Sequence, residues 1–467
     1  MTYRLLVDGE LVAGAASLDV INPATGRVLA TAPRADMAQA EQAIAAAKRA
    51  FQVWSKLSFP QRRVYLDQFA DGIETRFDEF SRVLTQEQGK PLEEAKFEVG
   101  GTVAALRYFA SLELEFRVLR ETRKERIIEQ RYPQGVVVAI NPWNFPLILL
   151  MKKLGPALIT GNTVIAKPAP TTPLTTLMLG EVASTALPAG VFQTIVDQND
   201  LGPFLTSHPD VAHVSFTGST PTGKKVLHSV ADTLKRFTLE LGGNDAAIIL
   251  DDADLDAVAP KVYRSATVNA GQVSFATKRV YAPRTMVDAL CDALARLAGE
   301  SKVGDGLEDD TTIGPIQNLT QYEKVLTFIE EARTNGTIVA GGEPIEGDGY
   351  FIAPTIVRDL PDSARLVREE QFGPVLPVLA YDDIDEVIAR ANDSDYGLGG
   401  TVWTSNPQRG IEIASRIETG TVWVNQHLAL PFDVPFGGAK QSGIGRQQGI
   451  EGLEDFTQIR IINAALV

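Results

Sequence analysis

The sequence predicts an α/β protein made of two α/β lobes, and three observations carry that prediction. From Gly135 onward short β-branched runs alternate with helical segments, the pattern of a parallel sheet with helices on its faces. The alternation comes as two successive series rather than one. At 467 residues the chain exceeds one ordinary core, so two or three domains are expected.

The elements follow in chain order. Residues 36–57 place Ala40, Ile44, Ala47, Phe51 and Trp54 on one helical stripe, and a second helical stretch runs over about 60–88. In the first series, residues 135–140, 163–166, 192–196 and 213–216 read as buried strands, with helices over 147–158 and 173–184 between them. The second series has strands at 246–250, 279–281, 375–379, 399–403 and 421–424. Two segments fit neither lobe. Residues 124–132 are charged and strand-like, and 456–467 form another alternating strand. Isolated ribbons of this kind are marginal alone, so they need a partner, and a second subunit is one candidate.

Composition narrows the function. Apolar residues make up 44% and charged residues 22%, as in a soluble globular protein. No run of about 18 apolar residues implies a membrane span, and the opening residues lack the pattern of a secretory signal. One cysteine excludes an intrachain disulfide and a cysteine-built metal cage, and the four histidines show no metal-ligand spacing, so no metal is expected. A net charge of −15 argues against nucleic acid and anionic membranes. The reading is a cytoplasmic protein with a small-molecule partner.

Four short segments could carry chemistry. The strand at 213–216 runs through Thr217-Gly218-Ser219-Thr220-Pro221-Thr222-Gly223 into a helix expected near Lys224. Glycines there would let backbone amides approach a phosphate, although a plain tight turn has the same residues. Glu240 precedes Leu241-Gly242-Gly243, as a general base or a surface carboxylate. Asn269-Ala270-Gly271-Gln272-Val273-Ser274 leads small residues up to a hydroxyl, and such a serine is commonly a turn or cap. Asn141-Pro142-Trp143-Asn144-Phe145-Pro146 is a rigid loop able to aim an amide donor, or only a structural turn.

In order, WNFP, KP, FTGSTxxG, ELGG, GQxSxA, ExFGP and PFGGxKxSGxGR closely resemble the aldehyde dehydrogenase superfamily over nearly the whole chain. The resemblance implies oxidation of an aldehyde to a carboxylic acid, with NAD or NADP accepting a hydride and a thiolate as nucleophile. The nucleophile's position falls on Ser274, the general base on Glu240, and the oxyanion hole on Asn144 with the backbone N–H of Ser274. Cofactor contacts fall on Trp143, Lys167, Gly218, Ser219, Gly223, Glu370 and Phe372, and the substrate tunnel on Leu149, Lys152, Val273, Phe275, His427 and Leu430. The same resemblance implies a Rossmann-like dinucleotide-binding domain over 1–120 and 139–238 and a catalytic domain over 239–430. Oligomerisation strands are implied at 121–138 and 455–467, assembling a homodimer or homotetramer.

Three positions depart from the family pattern. Ser274 stands where the chemistry calls for cysteine, and a hydroxyl needs activation that no visible Ser–His pair supplies. Dehydrogenase turnover is therefore expected to be negligible, whether the chain is an engineered Cys-to-Ser variant or a natural non-catalytic dinucleotide-binding protein. A serine acyl-hydrolase using Ser274 is a third reading. Cys291 lies on an apolar helical face and reads as core. Pro170 stands where NAD-preferring relatives have a glutamate, so NADP is not repelled. Lys152 is a cation at the tunnel wall, able to pair with a carboxylate of a semialdehyde acid or to snorkel into solvent.

Overall fold

The computed structural model describes residues 2–466, so Met1 and Val467, the outermost residues of the first expected domain and the last expected ribbon, lie outside the described residues. Two antiparallel hairpins, Leu5–Val7 with Glu10–Val12 and Ala16–Asn22 with Arg27–Arg34, precede the first helix. Helix α1, Met37–Trp54, starts at a capping box between Asp36 and Gln39 and buries Ala40, Ile44, Ala47 and Trp54. The stretch expected at 60–88 is two helices, α2 (Phe59–Thr75) and α3 (Phe77–Gln88). The break is at Arg76, which leaves helical geometry and pairs with both Glu79 and Glu181. Helix α4, Leu92–Ala110, completes this group.

The first sheet has six strands, in the spatial order Gly443–Ile444, Arg236–Glu240, Val211–Thr217, Val136–Ile140, Thr163–Lys167, Phe192–Thr194. All pairs are parallel except the one made by Gly443–Ile444. Helices α5 (Ile148–Ile159), α6 (Leu174–Ala186), α7 (Gly202–Ser207) and α8 (Thr220–Ala231) are interleaved with its strands. Strands Val136–Ile140 and Thr163–Lys167 are buried at every residue, as a sheet covered on both faces requires. Helix α8 begins four residues earlier than its sequence suggested. Ser219 has the extended backbone of an N-cap, and Pro221 occupies the first turn, where its missing N–H costs nothing.

The second sheet has seven strands, ordered Thr337–Ala340, Thr355–Arg358, Val375–Tyr381, Thr277–Pro283, Asp245–Ile249, Gly399–Trp403, Thr421–Val424, and only the first pair is antiparallel. Helices α9 (Leu255–Thr267), α10 (Val287–Glu300) and α11 (Leu319–Asn335) accompany it. The first two of these strands and α4 carry no clear period in the sequence. The fold is thus the expected pair of α/β lobes. The two unplaced ribbons pair with each other: Thr457–Ala465 runs antiparallel to Glu125–Pro133, with Arg117–Glu121 as the third strand. Among the described residues no helix is long and apolar enough to cross a membrane, and no cluster of three or more metal-ligating side chains occurs.

Candidate active site

Four parallel strands of the first sheet end at one cleft, the usual ligand position in open α/β sheets. Val136–Ile140 leads into the Asn141–Asn144 turn, and Thr163–Lys167, Val211–Thr217 and Arg236–Glu240 end on Lys167, Thr217 and Glu240. The cleft encloses about 730 Å³ and reaches from Lys167 and Pro170 at one end to Asn144 and Ser274 at the other.

At the first end Lys167 Nζ lies 2.6 Å from Oδ1 of the buried Asp197 and 3.4 Å from Oδ1 of Asn199, which lines the cleft. Ser219 caps α8 only with its backbone, because its Oγ donates to Thr222 Oγ1 at 3.0 Å. The first-turn amides of α8 therefore keep their N–H groups for an anion. A Cβ on Gly218 would stand 2.6 Å from the Phe216 ring. Gly223 lies inside α8, where a Cβ would stand 2.4 Å from the Leu241 side chain, and is not among the cleft-lining residues. Trp143 and Phe372 meet edge to face at 5.3 Å, with Phe372 in the left-handed region at φ 52°. Glu370 accepts from the Gly243 N–H at 3.0 Å; burial pushes its pKa up, and the Lys278 charge opposes the shift.

At the other end α9 gives way to a turn in which Asn269, Ala270 and Gly271 have φ of 52°, 55° and 74°. Gly271 packs on the Gly373 carbonyl, leaving no space for a Cβ. The half-buried Ser274 follows and lines the cleft. Its carbonyl and that of Val273 accept from Lys278 Nζ at 3.0 and 2.5 Å. Burial lowers the Lys278 pKa, against the charges of Glu370 and Asp245. Asn144 faces this turn, and its Nδ2 donates to Gln272 O at 2.9 Å. Its own carbonyl accepts from Asn269 Nδ2 and from Lys90 Nζ, each at 3.0 Å. Glu240 is buried just behind the lining, where Thr217 Oγ1 donates to its Oε2 at 3.2 Å and Lys153 Nζ donates to Thr217 Oγ1 at 2.6 Å. Burial brings the Lys153 pKa down to about 8.

The sequence does not single out Lys90 or Lys153, and it offers Thr217 only as the first residue of the turn that leads into α8. The pair Lys152-Lys153 inside the apolar run of α5 was the available signal, since a charge placed on a buried face requires a partner or a task.

The expected tunnel residues divide. Leu149 lines the cleft. Lys152 is only 7% exposed, and its Nζ makes no hydrogen bond or ion pair among the described residues. Burial lowers its pKa, with Glu240 and Glu98 opposing. Phe275 packs on Trp423 and Phe436, and Leu430 joins the same cluster. The His427 side chain is buried against Trp423, its Nδ1 2.8 Å from Thr277 Oγ1. Lys152, Phe275, His427 and Leu430 are not among the residues lining the cleft that Lys167 and Ser274 share. Cys291 is buried on α10 among Val287, Leu290 and Leu294, and burial pushes its thiol up to about 11, as for a core residue.

The profile of the aldehyde dehydrogenase family matches residues 12–462. A betaine aldehyde dehydrogenase of Rhizobium leguminosarum bv. trifolii is 38% identical over 473 residues, 98% of this chain and 96% of the relative. Betaine aldehyde dehydrogenase from Staphylococcus aureus, solved in complex with NAD⁺, superposes with a TM-score of 0.97 at 33% identity, covering 100% of this chain and 98% of that one. An NADP-dependent enzyme of E. coli superposes with a TM-score of 0.97 at 35% identity, covering 100% and 98%.

Proposed function

The chain belongs to the aldehyde dehydrogenase family, and we propose that its cleft presents an aldehyde to position 274 beside NAD or NADP, with serine at that position leaving this chain without turnover. One observation carries the reading: Asn144, Ser274, Glu370, Phe372, Ser219 and Lys167 all line a single cleft. The residues fit a dinucleotide. The free first-turn amides of α8 suit a pyrophosphate, and Glu370 and Phe372, which line the same cleft as Ser274, suit ribose and ring contacts. When bound, NAD or NADP supplies the acceptor for the hydride that leaves the substrate carbon.

The chain's own residues divide the remaining work. Asn144 and the Ser274 backbone N–H donate to the carbonyl oxygen as it becomes an oxyanion. Glu240 takes a proton from the water that releases the acyl group, and Thr217 orients its carboxylate. Lys278 holds the loop through two carbonyls. A cysteine at position 274 would be a few per cent ionised near neutral pH, whereas a hydroxyl needs a base in contact. Ser274 Oγ has no hydrogen-bond partner among the described residues, which weakens the acyl-hydrolase reading as much as serine-based oxidation.

Lys152 supports a substrate carrying a carboxylate, such as a semialdehyde acid. An amine that is buried without a counter-ion would repel a quaternary ammonium such as betaine aldehyde and favour an anion. The lining at Pro170 presents no carboxylate to repel a 2′-phosphate, which keeps NADP admissible. We assign the dinucleotide-binding domain to 1–120 and 139–238, the catalytic domain to 239–430, and oligomerisation to 121–138 and 455–467. The exposed Val118, Leu119, Ile459 and Ile461 of the ribbon support a homodimer or homotetramer. A cytoplasmic location accords with the net charge of −15.

The test is NAD(P)H formation by this chain and by Ser274→Cys, offered neutral and carboxylate-bearing aldehydes. Turnover only by the cysteine variant is expected. Fast turnover by the serine chain overturns the reading. No turnover by either, with dinucleotide still bound, favours a non-catalytic dinucleotide-binding protein.

A further inference from the structure

Glu94 and Glu98 lie four residues apart on α4 and share one helix face. Glu98 serves the Asn144 side of the site. Its Oε1 accepts the N–H groups of Leu147 and Ile148 at 2.9 and 3.3 Å, and its Oε2 lies 2.5 Å from Lys90 Nζ, which also donates to Asn144 O. Glu94 serves the other side. Its Oε2 accepts the Asn269 N–H at 3.0 Å. Asn269 opens the left-handed turn that precedes Ser274, and its Nδ2 reaches across to Asn144 O. Left-handed backbone at Asn269 and Ala270 is unfavourable by itself and persists where surrounding contacts hold it. An N–H to a carboxylate is among the stronger such contacts.

We propose that Glu94 is a positioning residue, registering the Ser274 loop against the same helix that holds the Asn144 loop through Glu98 and Lys90. One rigid element then keeps the nucleophile position and the oxyanion donor in mutual register. None of the steps above uses Glu94, yet the fold half-buries it at a cost: desolvation pushes its carboxyl up to about 7, against the charges of Lys90 on the chain just ahead of α4 and Arg264 on α9. The inference rests on position 274 being the nucleophile site and on no particular substrate.

The experiment uses Ser274→Cys and follows alkylation of the introduced thiol by iodoacetamide, which needs no turnover. The buried thiol of Cys291 is the internal reference. In that background Glu94→Ala removes the acceptor, Glu94→Asp keeps the charge but falls a methylene short, and Glu94→Gln keeps an acceptor oxygen at full reach. The Ala and Asp variants are expected to change the alkylation rate at position 274 by at least about fivefold, since sub-ångström misplacement is costly at a reacting centre. The Gln variant should stay within about twofold of the parent, and all should keep the parent's affinity for NAD⁺ within about twofold. Unchanged rates in the Ala and Asp variants overturn the proposal, and so does a Gln variant as altered as Ala. Should Glu94→Ala fail to fold, Glu94→Asp decides. NAD(P)H formation by the same Ser274→Cys parent reports separately on the dehydrogenase reading, so the two can fail independently.

Discussion

Lys153 donates to Thr217 Oγ1 across 2.6 Å, and through that hydroxyl a fully buried amine is linked to the Glu240 carboxylate. Desolvation outweighs the attraction of Glu240 and lowers the Lys153 pKa to about 8. The unfolded value is about 10.4, so between these pH values the unfolded chain binds more protons than the native one. The cost of burying Lys153 is thus full below pH 8 and fades as pH rises through that window.

Lys153→Met is therefore expected to stabilise the fold at pH 7 by roughly 1–3 kcal/mol, the charge penalty less the lost hydrogen bond. The gain should shrink towards zero by about pH 10. Urea melts of both proteins at the two pH values check this, and a gain that does not change with pH would show that Lys153 keeps its unfolded pKa inside the fold.

Removing the oxyanion donor separates chemistry from binding. In the Ser274→Cys background, Asn144→Ala should lower kcat by about 10²- to 10³-fold while dinucleotide affinity changes little. Steady-state rates paired with a fluorescence titration of NADH measure both. A loss confined to KM would assign Asn144 to ground-state binding instead.

Lys152 is tested by substrate charge. Lys152→Ala in the cysteine background should raise KM for a carboxylate-bearing aldehyde roughly tenfold, about 1.4 kcal/mol, and leave a neutral aldehyde of similar length nearly unaffected. Equal effects on both substrates would remove the carboxylate assignment.

The Lys90–Glu98 pair, with neither side chain exposed, predicts a large stability effect. Lys90→Ala leaves Glu98 buried without its cation and should cost about 3–5 kcal/mol, the range for breaking a buried pair. The two backbone N–H groups that Glu98 still accepts place the expected loss toward the lower end. Denaturant unfolding read by circular dichroism is the measurement, and a loss below about 1 kcal/mol would mean that water replaces the amine.

The sequence by itself determined where strands and helices alternate. The segments at 399–403 and 421–424 are strands over those same residues, and the apolar stripe ahead of Trp54 is α1. It also determined the chemistry-bearing turns, because Gly218 and Gly271 permit backbone approaches that a Cβ would block and the prolines around Asn144 fix theirs. Periodicity records which face is buried, and a turn records its own backbone demands. Neither records what a distant polar group meets. The break at Arg76, the pairing of the two ribbons and the burial of Lys152, Lys153 and His427 were decided by the tertiary structure. So was the clamp on the site: Lys90 reaches Asn144 across 54 residues and Asn269 reaches Glu94 across 175. A buried charge must find its partner wherever the packed chain brings one, and that place is set by the assembled lobes rather than by neighbours in the sequence.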